Sequence, residues 1–216
     1  TRTGEDILSG YDNWAIREFR SNRMVWSSWG TGRHLSASDH ESIPGTPYGN
    51  RRIAGIDPAR LRLFFLSILW RAAATSLQEF DEVSVQPDDL EKLRAMVEGG
   101  DETPLDFFPV SLTQLSTIGP VHNHGPIAQT KAIPAFEGHP ATDIPIFRFY
   151  FDGLIAHFAR DAMPGITDSW LGPQAVGFGP ELAVSTVTYE ASFQRETLSE
   201  VTFEAESRWP DEMSRL

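Results

Sequence analysis

From Asp57 to Ala72 the chain spells a helix with almost no polar face, and that limits the folds open to it. Asp57 is an N-cap residue, and Pro58 fills the first helical position, where a missing N–H costs nothing. Leu61, Phe64, Phe65, Ile68, Leu69 and Ala72 form one apolar stripe, and Leu63, Leu66 and Trp70 make the other faces apolar too. A helix apolar nearly all round belongs at the centre of a protein. Arg60, Arg62 and Arg71 flank and interrupt the run, which is far short of the roughly 20 residues that cross a bilayer. The expectation is a core helix over 58–76, with something apolar to cover it.

Two more helices are predicted. Over residues 4–20, Ile7, Leu8, Tyr11, Trp14, Ala15 and Phe19 recur at helical spacing, with Thr3 and Asp6 in capping-box positions. Residues 87–98 start at Pro87, turn Leu90, Leu93, Met96 and Val97 inwards and end at Gly99-Gly100. Between the first two helices, residues 27–56 are punctuated by Ser, Gly, Pro and Asn and read as a long loop. A loop of that length is functional, partly ordered or wrapped around a partner.

Beyond Gly100 the pattern turns to strands. Asp152-Gly153 joins the apolar runs 144–151 and 154–160, a hairpin signal because both turn positions need positive φ. Residues 107–115 read as a strand that Pro109 assigns to a sheet edge. Residues 182–191 and 200–209 read as a second antiparallel pair; in the latter Val201, Phe203 and Ala205 alternate with Thr202, Glu204 and Glu206. Helices followed by strands give an α+β class, with N-terminal helices (about 4–20, 58–76 and 87–98) packed on a C-terminal antiparallel β-sheet. Residues 1–216 are expected to form one compact unit, divisible at most into a helical part, 1–100, and a β-rich part, 101–216.

The net charge of −12 is unevenly spread. Residues 1–75 hold ten Arg and seven acids, a net of +3, whereas residues 76–216 carry a net of −15. So acidic a surface repels phosphate backbones, which makes nucleic acid an unlikely partner for residues 76–216. Arg17, Arg20, Arg23, Arg33, Arg51 and Arg52 offer a local contact in the N-terminal third, although a solvated arginine-rich face is the plainer reading. The chain has no Cys, which removes disulfides, thiolate zinc sites and cysteine nucleophiles. No membrane association is expected, and a cytoplasmic setting is the default.

Motifs for a phosphate loop, a nucleophile elbow and a zinc-protease helix are absent from the sequence, and no dinucleotide fingerprint is present. Six histidines remain to be placed. His122-Asn-His124 puts two imidazoles on one side of an extended segment, where they could share a divalent metal with His139 and Asp143. The alternative is a surface loop that carries solvated or hydrogen-bonded histidines. His34 and His40 lie near Asp39 and Glu41 without a metal spacing, and His157 reads as packed in the sheet. Asp88-Asp89 suits a helix N-terminus and needs no catalytic reading.

Two segments together point to a family. Phe64-Phe-Leu-Ser-Ile-Leu-Trp-Arg71, followed by Glu91-Lys-Leu-Arg94 and Gly-Gly, resembles the C-terminal region of poorly characterised bacterial proteins with an N-terminal zinc module similar to HNH endonucleases. Tyr11-Asp12-Asn-Trp14-Ala15 resembles a segment that follows a Cys-x-x-Cys pair in that family. The resemblance spans residues 4–20 and 60–100 and rests on apolar, structural positions. It implies a zinc module ahead of Thr1, and none of the family's metal or nuclease-like residues falls in this chain.

Three functions are carried forward as expectations, and whether the protein is an enzyme is left open. The first is a non-catalytic binding or regulatory region of a larger HNH-like bacterial protein. The second is a metal-dependent hydrolase built on the His-x-His pair. The third is a protein-interaction module whose loop, Ser27 to Ile56, orders on a partner and leaves Trp26, Trp29 and Tyr48 exposed.

Overall fold

The computed structural model describes residues 2–133, 140–163, 172–208 and 210. Among these residues four α-helices, α1 (Arg2–Ser21), α2 (Pro58–Ala74), α3 (Pro87–Gly99) and α4 (Phe193–Arg208), accompany seven strands. The strands are β1 (Glu41–Ser42), β2 (Tyr48–Ile53), β3 (Val110–Leu115), β4 (Ile127–Ile133), β5 (Thr142–Phe151), β6 (Leu154–Ala159) and β7 (Leu182–Val187). They form one sheet in the order β1-β2-β7-β3-β6-β5-β4. The α+β class holds, but the sheet is mixed: β3 runs parallel to β7, with Thr113 beside Ser185, and every other pair is antiparallel.

The all-apolar helix is covered as its composition requires. Asp57 accepts the Arg60 N–H at 3.0 Å, capping α2. Leu61, Phe65, Leu66 and Leu69 are fully buried. They join Trp14, Ala15 and Phe19 of α1, Leu93, Met96 and Val97 of α3, and one face of the sheet in a single core. That sheet face is Val110 and Leu112 from β3, Phe147 and Phe149 from β5, Leu154, Ala156 and Phe158 from β6, and Leu182 and Val184 from β7. α1 is pinned to α2 by a bidentate pair, Arg71 donating to both oxygens of Asp12 at 2.7 and 2.9 Å. The helix starts at Arg2, ahead of the expected Thr3 cap.

Four expectations are corrected. The stretch 27–56 is no bare loop, because it supplies β1 and β2. Its β2 escaped notice because the inward residues Gly49, Arg51 and Ile53 include a glycine and an arginine. Gly49 sits so close to its neighbours that a Cβ would lie 2.6 Å from the Glu41 carbonyl oxygen. The strand 107–115 lies mid-sheet, not at an edge, and starts at Val110, just after Pro109. Residues 200–209 are not a strand: α4 runs to Arg208. Good helix formers and a Glu204–Arg208 pair one turn apart favour the helix over the alternating apolar residues. Finally, Trp26 and Trp29 are buried at 5 % exposure each in this chain's own second core, so of the three aromatics only Tyr48 is exposed.

The hairpin is as expected. Asp152 and Gly153 both take positive φ, at 48° and 89°. A Cβ on Gly153 would come within 2.4 Å of the Trp26 indole nitrogen, so the turn also makes room for the segment that follows α1. Among the described residues no helix is long and apolar enough to cross a membrane.

A candidate binding site beneath the C-terminal helix

Strand alternation sends Lys131 of β4, Arg148 of β5 and His157 of β6 to the face opposite the helical layer. While Phe147, Phe149 and Phe151 turn towards α2, Arg148 and Tyr150 turn away from it. Arg148 stands directly across from His157 on β6, and His157 across from Ser111 on β3. The Lys131 amine of β4 lies 3.4 Å from the His157 Nδ1. Arg148 is 2 % exposed; Lys131 and His157 are partly exposed.

α4 closes over this face with two buried polar side chains one turn apart, Gln194 and Thr197. The Arg148 Nη1 donates to the Thr197 hydroxyl at 2.8 Å, and the Arg148 Nε has no partner among the described residues. The loop ahead of β4 completes the cluster. His122 and His124 lie parallel to the Tyr150 ring, at centroid distances of 4.5 and 5.7 Å. Each imidazole places its Nδ1 on a backbone carbonyl, that of Pro120 at 2.7 Å and of Gly125 at 2.6 Å. With those nitrogens donating, each Nε2 is an acceptor, and both accept from the Gln194 amide, at 2.7 and 2.8 Å. The Gln194 Oε1 is buried without a partner among the described residues.

The electrostatics of the cluster run one way. Burial, and then the Arg148 charge, bring the Lys131 amine down to about 8. Burial lowers the Arg148 guanidinium to about 10. Burial and the two cations hold His157 well below the ordinary imidazole value, so it is neutral at pH 7 and its Nδ1 accepts from Lys131. His124 is lowered mainly by burial, with Arg148 adding to it, and burial raises the Tyr150 phenol. No described carboxylate acts on Arg148, Lys131 or His157.

Of the metal residues expected from sequence, His122 and His124 come together, their ring centroids 6.0 Å apart. His139 lies outside the described residues, and Asp143 sits on β5 opposite Ala132. Among the described residues no group of three His, Cys, Asp or Glu side chains is placed to hold a metal ion. His40 bonds the Ser36 carbonyl and the Ser42 hydroxyl, while Asp39 is taken up by Ser36 and Arg23 and does not stand behind the imidazole. His34 is exposed and bridges to Thr117.

The arginine set also changes. Arg51 is no surface contact: it is 7 % exposed and donates to Gln114, to the Arg23 carbonyl and to the Asn22 carbonyl, closing the end of α1. Arg17 lies beside Glu18 and Arg23 beside Asp39, while Arg20 and Arg52 stay exposed. On the outer side of α4, Pro120, Tyr189, Leu198 and Phe203 line an open groove of about 470 Å³.

Arg148, Lys131, Gln194 and Thr197 were missed from sequence. Arg148 had a signal: a lone charge in the apolar run Ile144 to Phe151 is either a buried cation or an error of strand assignment. No family model matches the chain, and no curated protein or solved structure matches it either.

Proposed function

We propose that this chain is a ligand-binding module whose site is the polar sheet face beneath α4. The observation that carries the reading is Arg148, a buried guanidinium that among the described residues has one hydroxyl partner, none on its Nε and no carboxylate beside it. A buried charge left without a counter-charge costs several kcal/mol. Such a cost is retained where something outside the chain supplies the partner. The reading fits the expectation of a non-catalytic binding region, and the HNH-like setting implied by the resemblance stays part of the proposal. A thermal-shift screen of charged and neutral small molecules tests it on wild type and Arg148→Met. Ligands that raise the wild-type Tm and leave the variant unmoved support the site; no ligand that depends on Arg148 would remove it.

A second reading is a divalent metal on His122 and His124. It draws on their converging Nε2 atoms and on the Nδ1 anchors, which orient imidazoles as metal ligands are oriented. The neighbouring charge of Arg148 opposes a dication, so this reading ranks second. Elemental analysis of purified protein, wild type against His124→Ala, decides it: bound metal lost in the variant supports it, and metal-free wild type ends it.

A further inference from the structure

We infer that the ligand of this face is a phosphate group, held by Arg148, Lys131 and His157. This rests on the binding-module reading above and adds the chemistry of what is bound. Three donors come from three neighbouring strands: Arg148 stands across from His157, and the Lys131 Nζ lies 3.4 Å from the His157 Nδ1. The Arg148 Nε–H has no partner among the described residues. The Lys131 ammonium gives at most one of its three N–H groups to His157. Neutral His157 accepts through Nδ1, which leaves its Nε2 as an N–H donor.

All three are donors and two are cations, in a chain whose net charge is −12. A neutral or cationic ligand would leave that charge uncompensated. A carboxylate brings a single negative charge and two oxygens. A phosphate group brings up to two charges, with enough oxygens for three donors arriving from separate strands. The guanidinium edge matches two oxygens of such a group, which is why arginine is favoured at phosphate sites. The Thr197 hydroxyl accepts from Arg148 and keeps its own proton to donate to an oxygen of the ligand. The site is built on strands, so its donors are held in place before the ligand arrives.

Titration calorimetry of the full chain with inorganic phosphate, at pH 7 and constant ionic strength, is the test. Saturable binding is expected, lost in Arg148→Met and weakened about tenfold or more in Lys131→Met. Chloride at the same ionic strength should give none. Phenyl phosphate, titrated in parallel, separates the sources: tighter binding than inorganic phosphate points to an ester ligand, weaker binding to the free ion. Both Met variants are checked for cooperative unfolding first. For wild type, affinity should fall as pH rises through about 8, where Lys131 loses its proton facing Arg148 and His157. If neither phosphate binds while another compound binds in an Arg148-dependent way, the phosphate assignment is overturned and the binding-module reading stands. If nothing depends on Arg148, both fall.

Discussion

Arg62 and Arg148 are the two largest fully buried side chains described, one in the helical layer and one on the far face of the sheet. Arg62 reaches the Glu102, Pro104, Phe107 and Phe108 carbonyls from its Nε, Nη2 and Nη1 atoms, and the carboxylates of Glu102 and Asp106 act on its charge. Among the described residues Arg148 reaches one hydroxyl and no carboxylate. The same residue type is therefore a clamp in one place and an open valence in the other. Two of the carbonyls that Arg62 holds belong to Phe107 and Phe108, whose rings meet edge to face. Around Arg148 the packing is lysine, histidine, tyrosine and glutamine. The contrast teaches that burial alone does not mark a structural residue; what marks it is whether the fold supplies every partner.

The comparison can be broken most directly at its apolar end. Phe65→Ala removes a ring that contacts Phe19, Phe64, Phe151 and Phe158, and should cost about 3–5 kcal/mol in urea unfolding. A loss below about 1 kcal/mol would mean that the helical face is not the stabilising core. Next, Arg62→Met should cost about 3 kcal/mol, because buried carbonyls of residues 102–108 lose their donor. Arg148→Met should instead raise stability by about 1–3 kcal/mol, since it removes an uncompensated buried charge and fills the space with an apolar chain. Similar losses in both arginine variants would erase the distinction.

Lys131 sharpens it further. Its folded value is near 8, and the unfolded chain keeps that proton to about 10.4. Between those values the unfolded state binds more protons, so the contribution to stability rises with pH there and is lost as pH falls back through the window. Lys131→Met should flatten the rise, read as urea midpoints at pH 8 and pH 10. The smallest effect is on the rim of the helical layer, where Asp12→Asn, which breaks a half-exposed pair with Arg71, should cost no more than about 1 kcal/mol.

What was legible in the sequence was whatever local chemistry enforces. Asp57-Pro58, Gly99-Gly100 and Asp152-Gly153 each fix a dihedral or a cap, and each marks the feature expected of it. The histidine pair was legible as a pair, because residues two apart on an extended segment share a side. What faces it was not. Gln194 and Thr197 lie far along the chain, on a segment whose alternating Val201, Phe203 and Ala205 imitate a strand. β2 was hidden for a related reason: its inward charge, Arg51, is hydrogen-bonded by carbonyls at the end of α1 that no local pattern reveals.

The strand order also sets a timetable for assembly. β2 hydrogen-bonds on its inner side to β7, with Tyr48 opposite Val187 and Ile53 opposite Leu182, and β1 is attached only through β2. As the chain leaves the ribosome, β2 must therefore wait until Val187 has been made before its ladder with β7 can close. Non-local pairing of this kind slows folding and prolongs the exposure of unpaired edges. The β3–β6–β5–β4 block closes over much shorter separations and can form first. Truncation before Leu182 would leave β2 without β7 and detach the β1–β2 pair from the rest of the sheet.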